Sequence, residues 1–510
     1  MENSAKKKPF GKRLKKKLKQ SIYRWHKTLA LFTIVPMIFW CLSGIMHPFM
    51  AHFFKPQIAN EVLESPIINA QKIKVSLHEV LHQNKLEEIK NFRFVSFNDN
   101  QFYQIKTKKD SILYFNTFDG KKLNNGDYLY ANWLSRYFLE NQKNSISNHV
   151  LITEFNSQYK YVNRYLPVHK VTFDTNDAME IYVETTTDKL ATFNPKSRQF
   201  FIWFFDTFHN WSFIDAICNN TFRIGLMIFL LSIISLSAIS GLIIYGLFWK
   251  QFKKSKVTDS QSKWRKYHRQ TGLILAFFTV TFAFSGGYHA TKKLNSIAFE
   301  KMIYEPVFKS SDLNQELINE FASKKDFKNI SLIQFKDSIY YRCQSEHEEK
   351  NGVLYVNSKT RKIDPTIDFK YAQFLAEYFK EKVAKKGKSC CEMDTAEEST
   401  SCKNESIEST ALVTDFKNRD YGFVNKRLPV VKVAFESEDN KALFVETSTS
   451  HLAAFVTNAD RREGYSFAIL HKFLFMDWAG KDIRDLTMVL AALSILFVGI
   501  LGLIMLLRRR

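Results

Sequence analysis

The fold class this sequence predicts is an α-helical membrane protein, with four transmembrane helices in two parallel repeats and two α+β domains outside the membrane. Three observations predict it. Four apolar stretches approach or exceed the ~20 residues needed to cross a ~30 Å hydrocarbon core. Every strongly basic block of the chain abuts one of those stretches. Long words of sequence recur at a nearly fixed offset. The composition agrees: of 510 residues 45% are hydrophobic and 24% charged, with only 17 Gly and 10 Pro, which excludes collagen-like, coiled-coil and wholly disordered chains. A mean hydropathy of -0.24 requires large polar domains besides the spans.

The chain opens on a basic tail, 1–27, where eleven Lys and Arg face Glu2 alone. The first span, 28–50, carries Pro36, which should kink it locally. It is too long for a removed signal peptide and no small-x-small cleavage site follows Gly44, so it reads as an uncleaved signal anchor. In the first outside domain, 51–205, Ser76–Ile89 reads as a short helix. Phe92–Phe97, Gln101–Thr107 and Ser111–Phe115 alternate like strands of a meander, and Lys170–Phe173, Glu180–Glu184 and Lys189–Phe193 form a second strand cluster. An interfacial segment, 206–221, leads into the second span, 222–249. The loop 250–266 sets seven basic residues against Asp259. The third span, 267–290, opens the second domain, 291–465, whose stretch Lys386–Ser409, rich in Ser, Glu and Lys, reads as a flexible loop. A second interfacial segment, 466–485, precedes the fourth span and its tail, 486–510, which ends in Arg508, Arg509 and Arg510.

The formal net charge is +22, and the three basic blocks hold 19 of it. Charge placed at span ends follows the positive-inside rule. Both termini and the 250–266 loop are therefore expected in the cytoplasm and the two domains outside. A nucleic-acid partner would call for a basic face with base-reading side chains, so membrane lipid is the partner this charge implies.

Internal repetition refines the picture. Val162-Asn-Arg-Tyr-Leu-Pro-Val-His-Lys-Val-Thr-Phe173 recurs 262 residues later as Val424-Asn-Lys-Arg-Leu-Pro-Val-Val-Lys-Val-Ala-Phe435. Tyr182–Phe193 recurs as Phe444–Phe455 at the same offset, and Leu42-Ser-Gly-Ile-Met-His47 as Phe284-Ser-Gly-Gly-Tyr-His289 at 242. The unit is span, outside domain, span, with both copies entering the membrane in the same direction, so a pseudo-two-fold axis along the membrane normal is expected.

Three histidine pairs follow the repeat: His26 with His268, His47 with His289, and His209 with His471. The other seven, His52, His78, His82, His149, His169, His347 and His451, have no counterpart and read as solvated or interfacial. Ionisable groups at span ends are candidates for function. Imidazoles from facing helices are the axial ligands of b-type haem, which needs no covalent attachment, and no Cys-x-x-Cys-His is present for c-type haem. A cofactor on the two-fold axis would take one ligand from each repeat. His26 and His268 are then expected to hold an inner haem. For an outer one, His47 with His289 compete with His209 and His471, and rigid spans favour His47 with His289. Twenty-one residues separate His26 from His47, a rise of roughly 31 Å, which is long for a single electron step.

With Trp25-His26-Lys27 and Tyr267-His268-Arg269 opening the odd spans, Ser43-Gly44 and Ser285-Gly286 late in them, His209 and His471 before the even spans, and the Asn-x-x-Leu-Pro-Val words, the chain resembles the PepSY-associated transmembrane proteins. The resemblance covers nearly the whole chain and includes PepSY-like modules at about 68–123 and 310–363. It implies a haem-carrying electron-transfer protein, an oxidoreductase that reduces ferric siderophores or similar ferric chelates in the periplasm. The family's name refers to peptidase inhibition, so the alternative is a non-enzymatic binding or regulatory protein with a periplasmic protein partner and no haem.

No Gly-x-Gly-x-x-Gly follows a strand, and 250–266 is too short for a flavin or nicotinamide domain. Electrons must come from a membrane quinol or a separate cytoplasmic donor. No nucleophile stands at a suitable spacing from a base, so hydrolysis is not expected. Cys41 and Cys218 read as small apolar residues, and Cys343 is assigned no role. Cys390, Cys391 and Cys402 could bind a soft metal such as Cu(I), against a disulfide with one spare thiol.

Overall fold

Among the described residues four helices are long and apolar enough to cross a membrane: Lys17–Phe53, Asn220–Lys254, Lys263–Lys292 and Lys481–Leu507. The computed structural model describes residues 10–254, 260–294, 296–323, 327–345, 352–388 and 405–507. The chain divides into two compact units: one of Met1–Lys55, Ser197–Ser296 and Ala459–Arg510, the other of Pro56–Lys196 and Ile297–Asn458.

The first unit holds helices α1 (Phe10–Phe53), α4 (Lys196–Phe208), α5 (Asn220–Lys254), α6 (Ser260–Lys292), α9 (Asn458–Ser466) and α10 (Lys481–Leu507). α1 packs against α5 and α10, and α6 packs against the same two, which makes a four-helix bundle. α1 is continuous through Pro36 and Pro48; proline is tolerated inside spanning helices where neighbouring groups satisfy the freed carbonyls. Each even helix is entered in the same way. After α4 the chain turns at Trp211 (φ 54°) into a 3₁₀ turn, Ser212–Ala216. After α9 a π-helical turn, Phe467–His471, precedes a turn at Phe473 (φ 51°) and a 3₁₀ turn, Leu474–Ala479. Trp211 stacks on Trp40 with centroids 5.1 Å apart, and Phe473 on Phe282 at 5.4 Å.

The second unit is α+β. Its helices are α2 (Leu77–Gln83), α3 (Gly126–Leu139), α7 (Gln315–Ser323) and α8 (Ile367–Lys388). The segment Ser76–Ile89 is only half helical. Ser76 and Glu79 form a capping box, which fixes the start, while Lys85 is left-handed and the chain is already extended at Glu88. Strands β1 (Glu88–Phe97), β2 (Asn100–Thr107) and β3 (Ile112–Asn116) form an antiparallel meander that β8 (Phe308–Lys309) extends beside β1. β4 (Ile146–Ile152), β5 (Val168–Phe173), β6 (Glu180–Glu184) and β7 (Lys189–Asn194) form a second sheet. In the latter half β9 (Phe327–Phe335), β10 (Ser338–Ser345) and β11 (Val353–Asn357) form a meander, and β12 (Ile407–Val413), β13 (Val430–Phe435), β14 (Ala442–Glu446) and β15 (His451–Val456) a four-stranded sheet.

Side chains of β1 alternate between two cores, as a period of two requires. Phe92 and Phe94 join a core that α2, α7 and β9 share. Val95 and Phe97 join another, with α3, β5 and β6. Of the expected loop Lys386–Ser409, the first residues belong to α8, rich in helix-forming Lys, Glu and Ala, which runs to Lys388, and the last belong to β12, which begins at Ile407; residues 389–404 lie outside the described residues. Cys390, Cys391 and Cys402 lie outside the described residues.

Candidate functional site

His26 on α1 and His268 on α6 meet with ring centroids 6.4 Å apart. His26 Nδ1 lies 3.0 Å from the Ser237 carbonyl and 2.9 Å from Ser240 Oγ. Ser240 spends its own proton on the Ser237 carbonyl. Both partners therefore accept, and Nδ1 carries the hydrogen. His268 Nδ1 is 3.3 Å from the Val498 carbonyl, which again makes it the donor. In both rings Nε2 keeps the lone pair. Ligating histidines are commonly fixed in this manner, through a hydrogen bond from the nitrogen that does not bind the metal. A glycine admits each ring: a Cβ at Gly241 would lie 3.2 Å from His26 Cε1, and one at Gly502 would lie 3.5 Å from His268 Cε1.

A second pair repeats the pattern. His209 Nδ1 is 3.1 Å from Ser43 Oγ, and His471 Nδ1 is 3.1 Å from Ser285 Oγ. Ser43 donates to the Phe39 carbonyl and Ser285 to that of Thr281, each at 2.6 Å. Each hydroxyl then accepts from its imidazole, and Nε2 is again the basic nitrogen. Burial among apolar side chains holds His209 down to about 3 and His471 down to about 4, so both are neutral at pH 7. Gly44 faces His209 and Gly286 faces His471.

Each pair lines a cavity of about 340 Å³ inside the bundle, within the usual ~300–1,000 Å³ of small-molecule and cofactor sites. Four residues line both cavities: Met37, Ile234, Thr279 and Ile495. The two spaces are thus separated by one layer of side chains, not by the long rise from His26 to His47.

The four outer histidines are not placed alike. His289 lines the outer cavity, but its Nδ1 contacts Glu463 Oε1 at 2.8 Å and its ring stacks on Phe467 at 4.5 Å. His47 is not among the residues lining that cavity and sits against Phe205 at 5.8 Å. Phe205 in turn stacks on His209 at 4.4 Å, and Phe467 on His471 at 4.7 Å. His47 and His289 thus stand one phenyl ring behind the pair with fixed Nδ1 protons. The reasoning from helix rigidity missed the turns at Trp211 and Phe473, which follow His209 and His471 as the chain bends into each even helix.

Imidazole nitrogens bond metals at about 2 Å, so two rings on opposite sides of one metal have centroids roughly 6–6.5 Å apart. The His26–His268 spacing of 6.4 Å fits that arrangement. Among the described residues no group of three or more His, Cys, Asp or Glu is gathered for a bare metal ion; iron held in a macrocycle needs only one or two protein ligands. The donors in both cavities, imidazoles held through Nδ1 in apolar surroundings, are of the chemistry that fits haem.

The family model of the PepSY-associated TM region matches residues 131–509. No curated protein matches the chain.

Proposed function

The chain belongs to the PepSY-associated TM family, and from that premise we propose that it is a haem-binding electron-transfer protein of the bacterial inner membrane that reduces ferric chelates, ferric siderophores among them, on the periplasmic side. The observation that carries this reading is the doubled arrangement of four imidazoles, each with Nδ1 tied to a carbonyl or serine and Nε2 left free of that bond. His26 and His268 would hold the inner haem, and His209 and His471 the outer. Haem b bound at these positions supplies a reversible one-electron couple.

The protein's own residues do the rest. Ser43, Ser285 and the carbonyls of Ser237 and Val498 hold the imidazoles in one tautomer. The apolar walls exclude water, and the layer of Met37, Ile234, Thr279 and Ile495 keeps the two sites close without joining them. The duplication accounts for the pairing, with Ser43 matching Ser285 and Gly241 matching Gly502 at offsets of 242 and 261. Fe(III) in the chelate gains one electron, and the donor is a membrane quinol or a separate cytoplasmic reductant.

The protein purified from haem-replete cells is expected to be red, with a sharp low-spin α-band on reduction, and His26→Ala should remove one of two haems. A colourless protein that co-purifies with a peptidase or sensor would replace this reading with that of a regulatory binding module.

A further inference from the structure

The mouths of the two cavities differ in charge. Lys27, Arg265 and Arg269 line the inner cavity, and none of its lining residues is acidic among those described. Among the described residues Lys293 is the one Lys or Arg lining the outer cavity. Two of the three inner cations are tied to the ligand pair by sequence: Lys27 follows His26, Arg269 follows His268, and the two stand 242 residues apart like the histidines. Arg269 rests over the Phe252 ring, 4.2 Å from its centroid. That contact fixes the guanidinium on an aromatic face and leaves its N–H edge able to donate to an anion. Besides these cations and the two histidines the walls are mostly Gly, Ala, Leu, Ile and Met, with Tyr23, Thr33, Ser237, Tyr245 and Thr279 the polar members. A molecule that suits such a space is apolar over most of its body, has a metal at its centre and carries anionic groups along one edge.

Resting on the haem reading above, we propose that Lys27, Arg265 and Arg269 form a carboxylate-binding rim that takes the two propionate side chains of the inner tetrapyrrole. Anionic lipid headgroups offer a related anion at the same depth. Lipid would, however, place no demand on the carboxylates of a ligand held by His26 and His268.

The test is a spectral titration of the full chain, expressed without haem and solubilised, with haem b and with its dimethyl ester, which keeps the iron and ring but has no carboxylate. A charge-assisted hydrogen bond contributes ~1.5–3 kcal/mol, so the inner site of the unaltered protein should bind haem about tenfold or more tightly than the ester. A Lys27→Gln, Arg265→Gln, Arg269→Gln variant should lose that preference, and the charge-keeping Lys27→Arg, Arg269→Lys variant should retain it. The basic tail 1–27 still orients the first span in each. Equal affinity for haem and ester in the unaltered protein overturns the proposal. So does a preference that survives the triple substitution, or one replaced by selectivity for phosphatidylglycerol over phosphatidylcholine nanodiscs that the triple variant loses. Failure of the unaltered protein to bind either compound would overturn the haem reading itself, and the rim with it.

Discussion

His169 is only 2% exposed, so the reading of it as a solvated histidine fails. Its Nε2 donates to Asp127 Oδ2 at 2.8 Å, and its Nδ1 meets His149 Nε2 at 2.9 Å. Burial alone would raise the Asp127 carboxyl, but the hydrogen bond and charge of His169 bring it below the usual range. Burial, helped by His169, pushes His149 down to about 4. Between pH 6.5 and about 4 the unfolded chain takes up a proton at His149 that the folded chain refuses. Stability should therefore fall as pH drops through that window, modestly because the ring is partly solvated. Denaturant titrations from pH 7 to 4 should show a shallower decline for His149→Gln; an unchanged decline would remove His149 as its source. Nearby, Arg93 grips Asp188 with two hydrogen bonds, 2.7 and 2.6 Å, and Tyr130 donates to the same carboxylate. The equivalent position in the latter half is neutral, Tyr371 with Ser450 at 2.7 Å. Asp188→Ala leaves a buried guanidinium unpaired and should cost about 3–5 kcal/mol, whereas Ser450→Ala should cost about 1 kcal/mol. Unfolding midpoints of the two variants give the comparison.

At the scale of elements, the bundle depends on places where a helix gives up side-chain volume to an imidazole. The Gly241 position has 3.2 Å to His26 Cε1, while Gly225 and Gly246 on the same helix have nothing within 4 Å. Gly241→Leu should displace His26 and abolish the inner absorbance with little loss of the outer one, while Gly246→Leu should leave both; redox difference spectra of the two variants decide it. The four spans, the meanders and the meeting of His26 with His268 were legible because hydropathy, period-two alternation and repetition act through local sequence. The meeting of His209 with Ser43 and of His471 with Ser285 was not. It depends on left-handed conformations at Trp211 and Phe473, where bulky residues give no glycine or asparagine signal. The limits of α8 and β12 within Lys386–Ser409 were hidden for a related reason: polar composition marks solvent exposure, which a surface helix shares with a loop.

For the whole molecule, the strongest constraint is that each of the four spans has its basic end at the tail 1–27, the loop 250–266 or the tail Arg508–Arg510. Four helices joined in this order can satisfy the positive-inside rule together only if those three segments share one face of the membrane. Under that rule residues 51–205 and 291–465 are expected on the other. The second unit supports a common compartment for its two halves, since one hydrophobic core takes Phe92 and Ile105 from the former and Phe327 and Tyr341 from the latter, and the Asn91 amide bonds the Leu332 backbone in both directions. Such a core cannot form with a bilayer between its halves. Alkaline phosphatase fused after Lys55 or after Ser310 should therefore be active at both sites, and fused within 250–266 it should be silent. An active fusion at only one of the first two sites would refute the parallel insertion of the halves, and with it the assignment of one ligand per repeat to each haem.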